Sequence, residues 1–259
     1  MEKDIQIIFF DIDGTLLNPQ TAAISPKTQE TLVRLRQKGI RLFIATGRPP
    51  VCVPELTGVE FDGYITMNGS LCYTSDSILF HNPLSRSDVE KVIENARALG
   101  RPVSLVGRDW LAANGWDEDL AAYYRFSKKE LTVAEDFDEY RKGNIYQIML
   151  GCRAEDHEAI VQGADGVTVT YSCDFAADVI STKSGKAEAI RKVLEYYQLD
   201  VSQSMAFGDG YNDIEMLKTV GTGVSMGNAD SRVKEIAKEQ CRSVYEEGIY
   251  HYCVEKGLI

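Results

Sequence analysis

Ile5-Gln6-Ile7-Ile8-Phe9-Phe10-Asp11-Ile12-Asp13-Gly14-Thr15 is the stretch on which the fold turns. Ile5, Ile7, Ile8, Phe9 and Phe10 make a short apolar run that ends in a glycine turn, the pattern of a strand buried on both faces. Residues two apart on a strand point to the same side. Asp11 and Asp13 are therefore expected to stand together at the strand's carboxyl end, where open α/β sheets place their active sites. Two carboxylates brought together repel, so a metal, a basic side chain or a shared proton must offset them. Asp-Gly-Thr is also ordinary turn chemistry, and by itself the segment leaves a plain loop open.

The sequence beyond it alternates strands and helices. Ser25-Pro26 predicts a helix start, with serine as the cap and proline at the first helical position. Leu32, Val33 and Leu35 supply its apolar face, and Gly39 ends it. Residues 40–45 and 63–67 read as strands, which implies a right-handed βαβ unit and a parallel sheet. The character changes near residue 71. Residues 71–74 and 77–81 suggest a hairpin around Ser75-Asp76, and Ser85 or Ser87 caps a helix that Gly100 stops. Strands are expected over 103–106, 145–150 and 167–171, with a short helix over 154–161. Residues 83–182 thus read as an α+β module. The α/β alternation resumes near Gly185, with helices over 187–197 and 231–238 and strands over 204–207 and 223–225.

The chain has 259 residues, 44% hydrophobic and 26% charged, with a formal net charge of -11. That size accommodates one large domain or two modest ones. The acidic balance argues against nucleic acid polymers, which demand a basic face, and against anionic membrane surfaces. A small anionic substrate stays compatible, because a local cation cluster or a metal overrides the global sign. No apolar run approaches a membrane span, and the N-terminus lacks a signal-type pattern. Cys52, Cys72, Cys152, Cys173, Cys241 and Cys253 are scattered without a C-x-x-C pair, which fits reduced, cytoplasmic usage. His81, His157 and His251 stand alone and are not candidates for catalysis or ligation.

Three further clusters fall at strand ends or helix starts. Thr46-Gly47-Arg48 offers a hydroxyl beside glycine N–H groups, a small anion cradle or else a strand-ending turn. Lys186 opens a helix after Ser184-Gly185, where it opposes the helix dipole unless it shares that end with a phosphate; Lys183 is a nearby competitor. Gly208-Asp209-Gly210-Tyr211-Asn212-Asp213 sets carboxylates at i and i+4 on a glycine-loosened turn, and hard oxygen donors suit Mg²⁺.

Jointly these clusters resemble the four motifs of the haloacid dehalogenase-like hydrolase superfamily. Asp11 to Thr15 matches the first motif, Thr46-Gly47-Arg48 the second, Lys186 the third and the Gly208–Asp213 segment the fourth, in its G-D-G-x-N-D form. With Met67-Asn68-Gly69 and the long insert between the second and third motifs, the chain is similar to the Cof-type, subclass IIB branch. The usual Lys-Gly of the third motif is Lys186-Ala187 here.

The resemblance implies an α/β Rossmann-like core with a parallel sheet over residues 1–82 and 183–259, and an inserted α+β C2-type cap over 83–182. It implies a Mg²⁺-dependent phosphatase acting on a small phosphorylated metabolite. Asp11 would be the nucleophile that forms an aspartyl-phosphate, and Asp13 the acid and base. Mg²⁺ would be held by Asp11, the Asp13 carbonyl and Asp209, with Asp213 auxiliary. Thr46, Gly47, Lys186 and Asn212 would hold the phosphoryl oxygens. Two alternatives remain: a phosphomutase or phosphotransferase of the phosphomannomutase type, and a metabolite-binding regulator without catalysis. Trp110, Trp116, Tyr123 and Tyr124 are expected mainly as buried core.

Overall fold

The computed structural model describes residues 4–56 and 58–259. The chain begins with β1 (Ile7–Phe10), α1 (Pro26–Gln37), β2 (Arg41–Ala45), β3 (Gly63–Thr66), β4 (Leu71–Tyr73) and β5 (Ile78–His81). It continues through α2 (Arg86–Ala98), β6 (Val103–Val106), β7 (Leu111–Ala113), α3 (Glu118–Phe126), α4 (Phe137–Tyr140), β8 (Gln147–Gly151), α5 (His157–Val161), β9 (Val167–Cys173) and β10 (Ala176–Ser181). It ends with α6 (Lys186–Tyr196), β11 (Ser204–Gly208), α7 (Ile214–Thr219), β12 (Thr222–Ser225), α8 (Ser231–Ile236), β13 (Glu239–Gln240) and α9 (Gly248–Glu255).

The first sheet has the order β13-β12-β11-β1-β2-β3-β4-β5. It is parallel from β13 to β3, and the hairpin β4–β5 adds two antiparallel strands. All four residues of β1 are buried, as a strand paired on both sides and covered on both faces requires. Ile8 and Phe10 pack with Leu32 and Leu35 of α1 and Ile249 and Tyr252 of α9. Ile7 and Phe9 pack on the other face with Ile190 and Val193 of α6 and Met216 and Leu217 of α7. Hiding each such side chain contributes about 1.5–3 kcal/mol. Strand order reverses at β1, with β2 to one side and β11 to the other. Such a reversal opens a crevice at the carboxyl ends of the strands.

The second sheet, β7-β6-β8-β10-β9, is antiparallel throughout. Its β8 alternates: Ile148 and Leu150 enter the core beneath Val89, Val92 and Ile93 of α2. Met149 belongs to a separate cluster with Leu120 and Tyr124 of α3 and with Met67 and Leu71 of the first sheet's side. Gln147 shares the face of Met149, because the strand period is two. The two layers thus meet across an apolar cluster, and the face of the second sheet that carries Gln147 looks toward the crevice.

The strands β7, β10 and β13 and the helices α3, α4 and α9 were not expected from the sequence. The strand expected over 145–150 lies at Gln147–Gly151, and the helix expected over 231–238 stops at Ile236. Trp116 is 59% exposed, against the expectation of buried core. Trp110 is half-buried, and its ring centroid lies 4.8 Å from that of Tyr140.

Candidate active site

Asp11 follows β1 directly, and its N–H bonds to the Phe207 carbonyl at 3.0 Å, which carries the β1–β11 pairing one residue further. This places the Asp11 carboxylate beside the β11 loop. The Lys186 ammonium lies 2.7 Å from Asp11 Oδ1 and 2.6 Å from Asp213 Oδ1, and all three residues are buried. Lys183 is exposed, and its carbonyl accepts from Asn82. Of the two lysines left open by the sequence, Lys186 is the one in the acidic cluster.

The other Asp213 oxygen accepts the N–H groups of Asp209 and Gly210 at 3.0 and 2.9 Å, so this carboxylate both ties down the loop and orients Lys186. Asp209 accepts from Thr15 Oγ1 at 2.9 Å and from Asn228 Nδ2 at 3.1 Å. Gly14 is required opposite it: its φ is +84°, and a Cβ there would lie 2.1 Å from Asp209 Oδ2.

Asp11 and Asp213 share the buried Lys186 ammonium, and Asp209 stands beside them. Burial pushes the Asp11 carboxyl up to about 7 despite the pull of Lys186, and burial with the charges of Asp11 and Asp213 pushes Asp209 well above the usual carboxylate range. The opposite charges of Asp11 and Asp213 raise the Lys186 ammonium against its own burial. Asp11, Asp209 and Asp213 each offer an oxygen within 4.8 Å of the others. An excess of negative charge on hard oxygen donors fits Mg²⁺, which the superfamily resemblance implies.

Asp13 lines the same cavity as Asp11, and its charge acts on the Asp11 carboxyl, but strand alternation does not place it there. The chain leaves strand geometry after Phe10, so the two-residue period no longer applies, and buried Ile12 takes the inward position. The Asp13 carboxylate is gripped by Arg48, with Nε–Oδ2 and Nη2–Oδ1 distances of 2.7 Å. The same guanidinium donates to the carbonyls of Cys52 at 2.8 Å and Phe126 at 2.9 Å. Arg48 therefore joins the first strand's loop to the end of α3.

Thr46 is buried, and its Oγ1 accepts the Arg48 N–H at 3.1 Å. Asn212 donates to Asn68 Oδ1 at 3.0 Å, and a Cβ on Gly47 would crowd the Asn68 side chain at 3.1 Å. Thr46, Gly47 and Asn212 line, with Asp11 and Asp13, a cavity of about 620 Å³. Its opposite wall holds Tyr123, Gln147 and Asp178, none of which the sequence singled out for the site. Asp178 is buried and accepts from the Tyr123 hydroxyl at 2.8 Å, Asn68 Nδ2 at 2.9 Å and Gln147 Nε2 at 2.8 Å. Burial raises its carboxyl to about 7 even against these three donors. Asn68 was legible only within Met67-Asn68-Gly69, and no sequence pattern announced Arg48 as the partner of Asp13.

The fold and this acidic cluster define a phosphatase of the haloacid dehalogenase type, an α/β core with an inserted cap. The family model for haloacid dehalogenase-like hydrolases matches residues 8–253, and the chain belongs to this family. It is 33% identical over 257 residues to YkrA of Bacillus subtilis, a provisionally named phosphatase, covering 99% of each chain. It is 28% identical to the B. subtilis 5-amino-6-(5-phospho-D-ribitylamino)uracil phosphatase YitU, covering 98% of each. Among solved structures, the subclass IIB sugar phosphatase BT4131 superposes with a TM-score of 0.91 at 27% identity, covering 98% of this chain and all of that one. Among the described residues no helix is long and apolar enough to cross a membrane.

Proposed function

We propose that the protein is a Mg²⁺-dependent phosphohydrolase that removes phosphate from a small phosphorylated metabolite through an aspartyl-phosphate on Asp11. The observation that carries this reading is the buried Asp11–Lys186–Asp213 triad beside Asp209, with Asp11 and Asp209 lining a cavity sized for a metabolite. Asp11, Asp209 and the Asp13 carbonyl would hold Mg²⁺, with Asp213 supporting them. The ion would supply positive charge that lets a carboxylate approach an anionic phosphate.

The chain's own residues do the rest. Asp11 attacks phosphorus, the P–O bond to the leaving group breaks, and the leaving oxygen takes a proton from Asp13. Asp13 then accepts a proton from water as the water attacks the acyl phosphate, which releases inorganic phosphate and restores Asp11. Both Asp13 oxygens are occupied by Arg48 in the structure, so Asp13 takes up this role when Arg48 releases it. Lys186, Thr46, Gly47 and Asn212 hold the phosphoryl oxygens as charge shifts. Residues 1–82 and 183–259 carry this chemistry, and residues 83–182 close the cavity and choose the leaving group.

The test measures phosphate release from p-nitrophenyl phosphate and from a panel of sugar, nucleotide and cofactor phosphates, with and without Mg²⁺. Wild-type protein is expected to turn over only with the ion, and Asp11→Asn to be inactive with an unchanged circular dichroism spectrum. Wild-type rates in Asp11→Asn, with reversion to Asp excluded by mass spectrometry, would refute the mechanism.

A further inference from the structure

Gln147 opens β8, is fully buried, and lines the cavity that Asp11 also lines. Its Nε2 donates to Asp178 Oδ1 at 2.8 Å and to the Gly47 carbonyl at 3.4 Å. The Gly47 carbonyl can only accept, and this sets the orientation of the amide: nitrogen toward Gly47 and Asp178, oxygen away. That oxygen, Oε1, has no hydrogen-bond partner among the described residues. Native proteins leave few buried acceptors in this state, because the lost hydration is not recovered. The surrounding side chains do not supply a donor. The Tyr123 hydroxyl and one N–H of the Asn68 amide are given to Asp178, and neither residue bonds to Oε1. Asp178 itself is clamped by three donors, so it holds Gln147 in place.

We propose that Gln147 is a specificity-determining residue whose Oε1 accepts a hydrogen bond from a hydroxyl on the leaving group, close to the phosphorylated carbon. The proposal rests on the phosphatase reading above and names the chemistry that reading leaves open. Contact with Gly47 puts the amide beside the turn assigned to the phosphoryl oxygens, so the hydroxyl it meets is near the ester rather than at a distant end. Gln147 Oε1 is the unpartnered acceptor of this wall, which favours a hydroxyl-bearing leaving group over an alkyl or aryl one. A site built to hydrogen-bond a hydroxyl rejects the analogue that lacks it, because its own acceptor then stays unpaired.

The experiment compares kcat/KM for sugar and polyol phosphates, each paired with analogues in which one hydroxyl is replaced by hydrogen or by an amine. In wild-type enzyme, deleting one particular hydroxyl near the phosphorylated carbon is expected to lower kcat/KM about 10- to 100-fold. In Gln147→Met the same pair should differ by no more than about 2-fold, while the rate on p-nitrophenyl phosphate, which has no such hydroxyl, changes far less than the polyol rate. Gln147→Leu serves as a second variant should the first not fold, and the wild-type comparison requires no variant. Undiminished discrimination in the folded variants overturns the proposal, as does a parallel fall on every substrate including p-nitrophenyl phosphate. An amine analogue preferred to its hydroxyl parent overturns the assignment of the hydroxyl. Hydrolysis of no ester at all, p-nitrophenyl phosphate included, would instead overturn the phosphatase reading, and this proposal with it.

Discussion

Replacing Asp178 with asparagine isolates the energetic consequence of a carboxylate buried in the cap wall. Asp178 is 3% exposed, and its carboxyl is raised from 3.8 to about 7 by burial. Between those two values the native protein holds a proton that the unfolded chain has released. Protonation therefore favours the folded state, and the stability from this group falls as pH rises from about 4 through 7. Integrated between pH 5 and pH 8, the loss amounts to roughly 2–3 kcal/mol. Asparagine does not titrate, so Asp178→Asn should lose that component while keeping the pH dependence of every other group. The substitution also sets an amide N–H group against donors from Tyr123, Asn68 and Gln147, a cost present at both pH values that cancels from the comparison. Urea unfolding followed by circular dichroism at pH 5 and pH 8 gives the two differences. Wild type is expected to lose about 2–3 kcal/mol more than the variant between the two conditions. An identical pH dependence in the two proteins would refute the assignment of a raised carboxyl to Asp178.

Asp13→Asn keeps the backbone carbonyl and should lower kcat about 10²–10⁴-fold while Mg²⁺ affinity falls much less; equal losses in kinetics and calorimetry would count against the acid–base role. Lys186→Met strands Asp11 and Asp213 without their shared ammonium, so unfolding should become easier by about 3–5 kcal/mol, read from urea midpoints. A variant as stable as wild type would show the triad to be energetically neutral. Gly14→Ala brings a Cβ to 2.1 Å from Asp209 Oδ2, where φ is +84°. It should weaken Mg²⁺ binding about 10-fold or more with the fold retained, and unchanged affinity in calorimetry would show that Asp209 does not need that loop geometry.

Much of the first sheet was legible because its signals are local. The apolar run before Asp11, Ser25-Pro26 and the glycine-rich segment at 208–213 each mark an element boundary within a few residues, and the structure puts β1, α1 and β11 at those places. The acidic cluster followed from the same boundaries, since Asp11 and Asp209 sit where β1 and β11 end and Asp213 where α7 begins. The second sheet was harder. β10 reads Ala-Ala-Asp-Val-Ile-Ser, and its central aspartate spoils an apolar pattern that makes sense only once Tyr123, Asn68 and Gln147 surround it. Helix α3 did carry a local signal: Asp117 caps it by accepting the Leu120 N–H at 2.7 Å, and acidic residues fill its first turn. The pairing of Asp13 with Arg48 joins residues 35 apart, and no spacing rule on either segment reveals it.

The pairing of β1 with β11 sets the order in which the protein is completed during its synthesis. Ile7 lies against Ser204, so the central strand waits for a partner made about 200 residues later. At ordinary translation rates that interval is roughly 10–40 s. Until then one edge of β1 is unpaired, and Asp11 has neither Lys186 nor Asp209 beside it. Residues 103–181 finish the second sheet earlier, because all five of its strands lie within that interval. A nascent chain halted before Lys186 therefore carries a complete second sheet beside an unfinished acidic cluster, with an adhesive strand edge exposed. Ribosome-bound chains of increasing length should gain protease resistance in two steps, the first when residue 181 has cleared the exit tunnel and the second when β11 has joined β1.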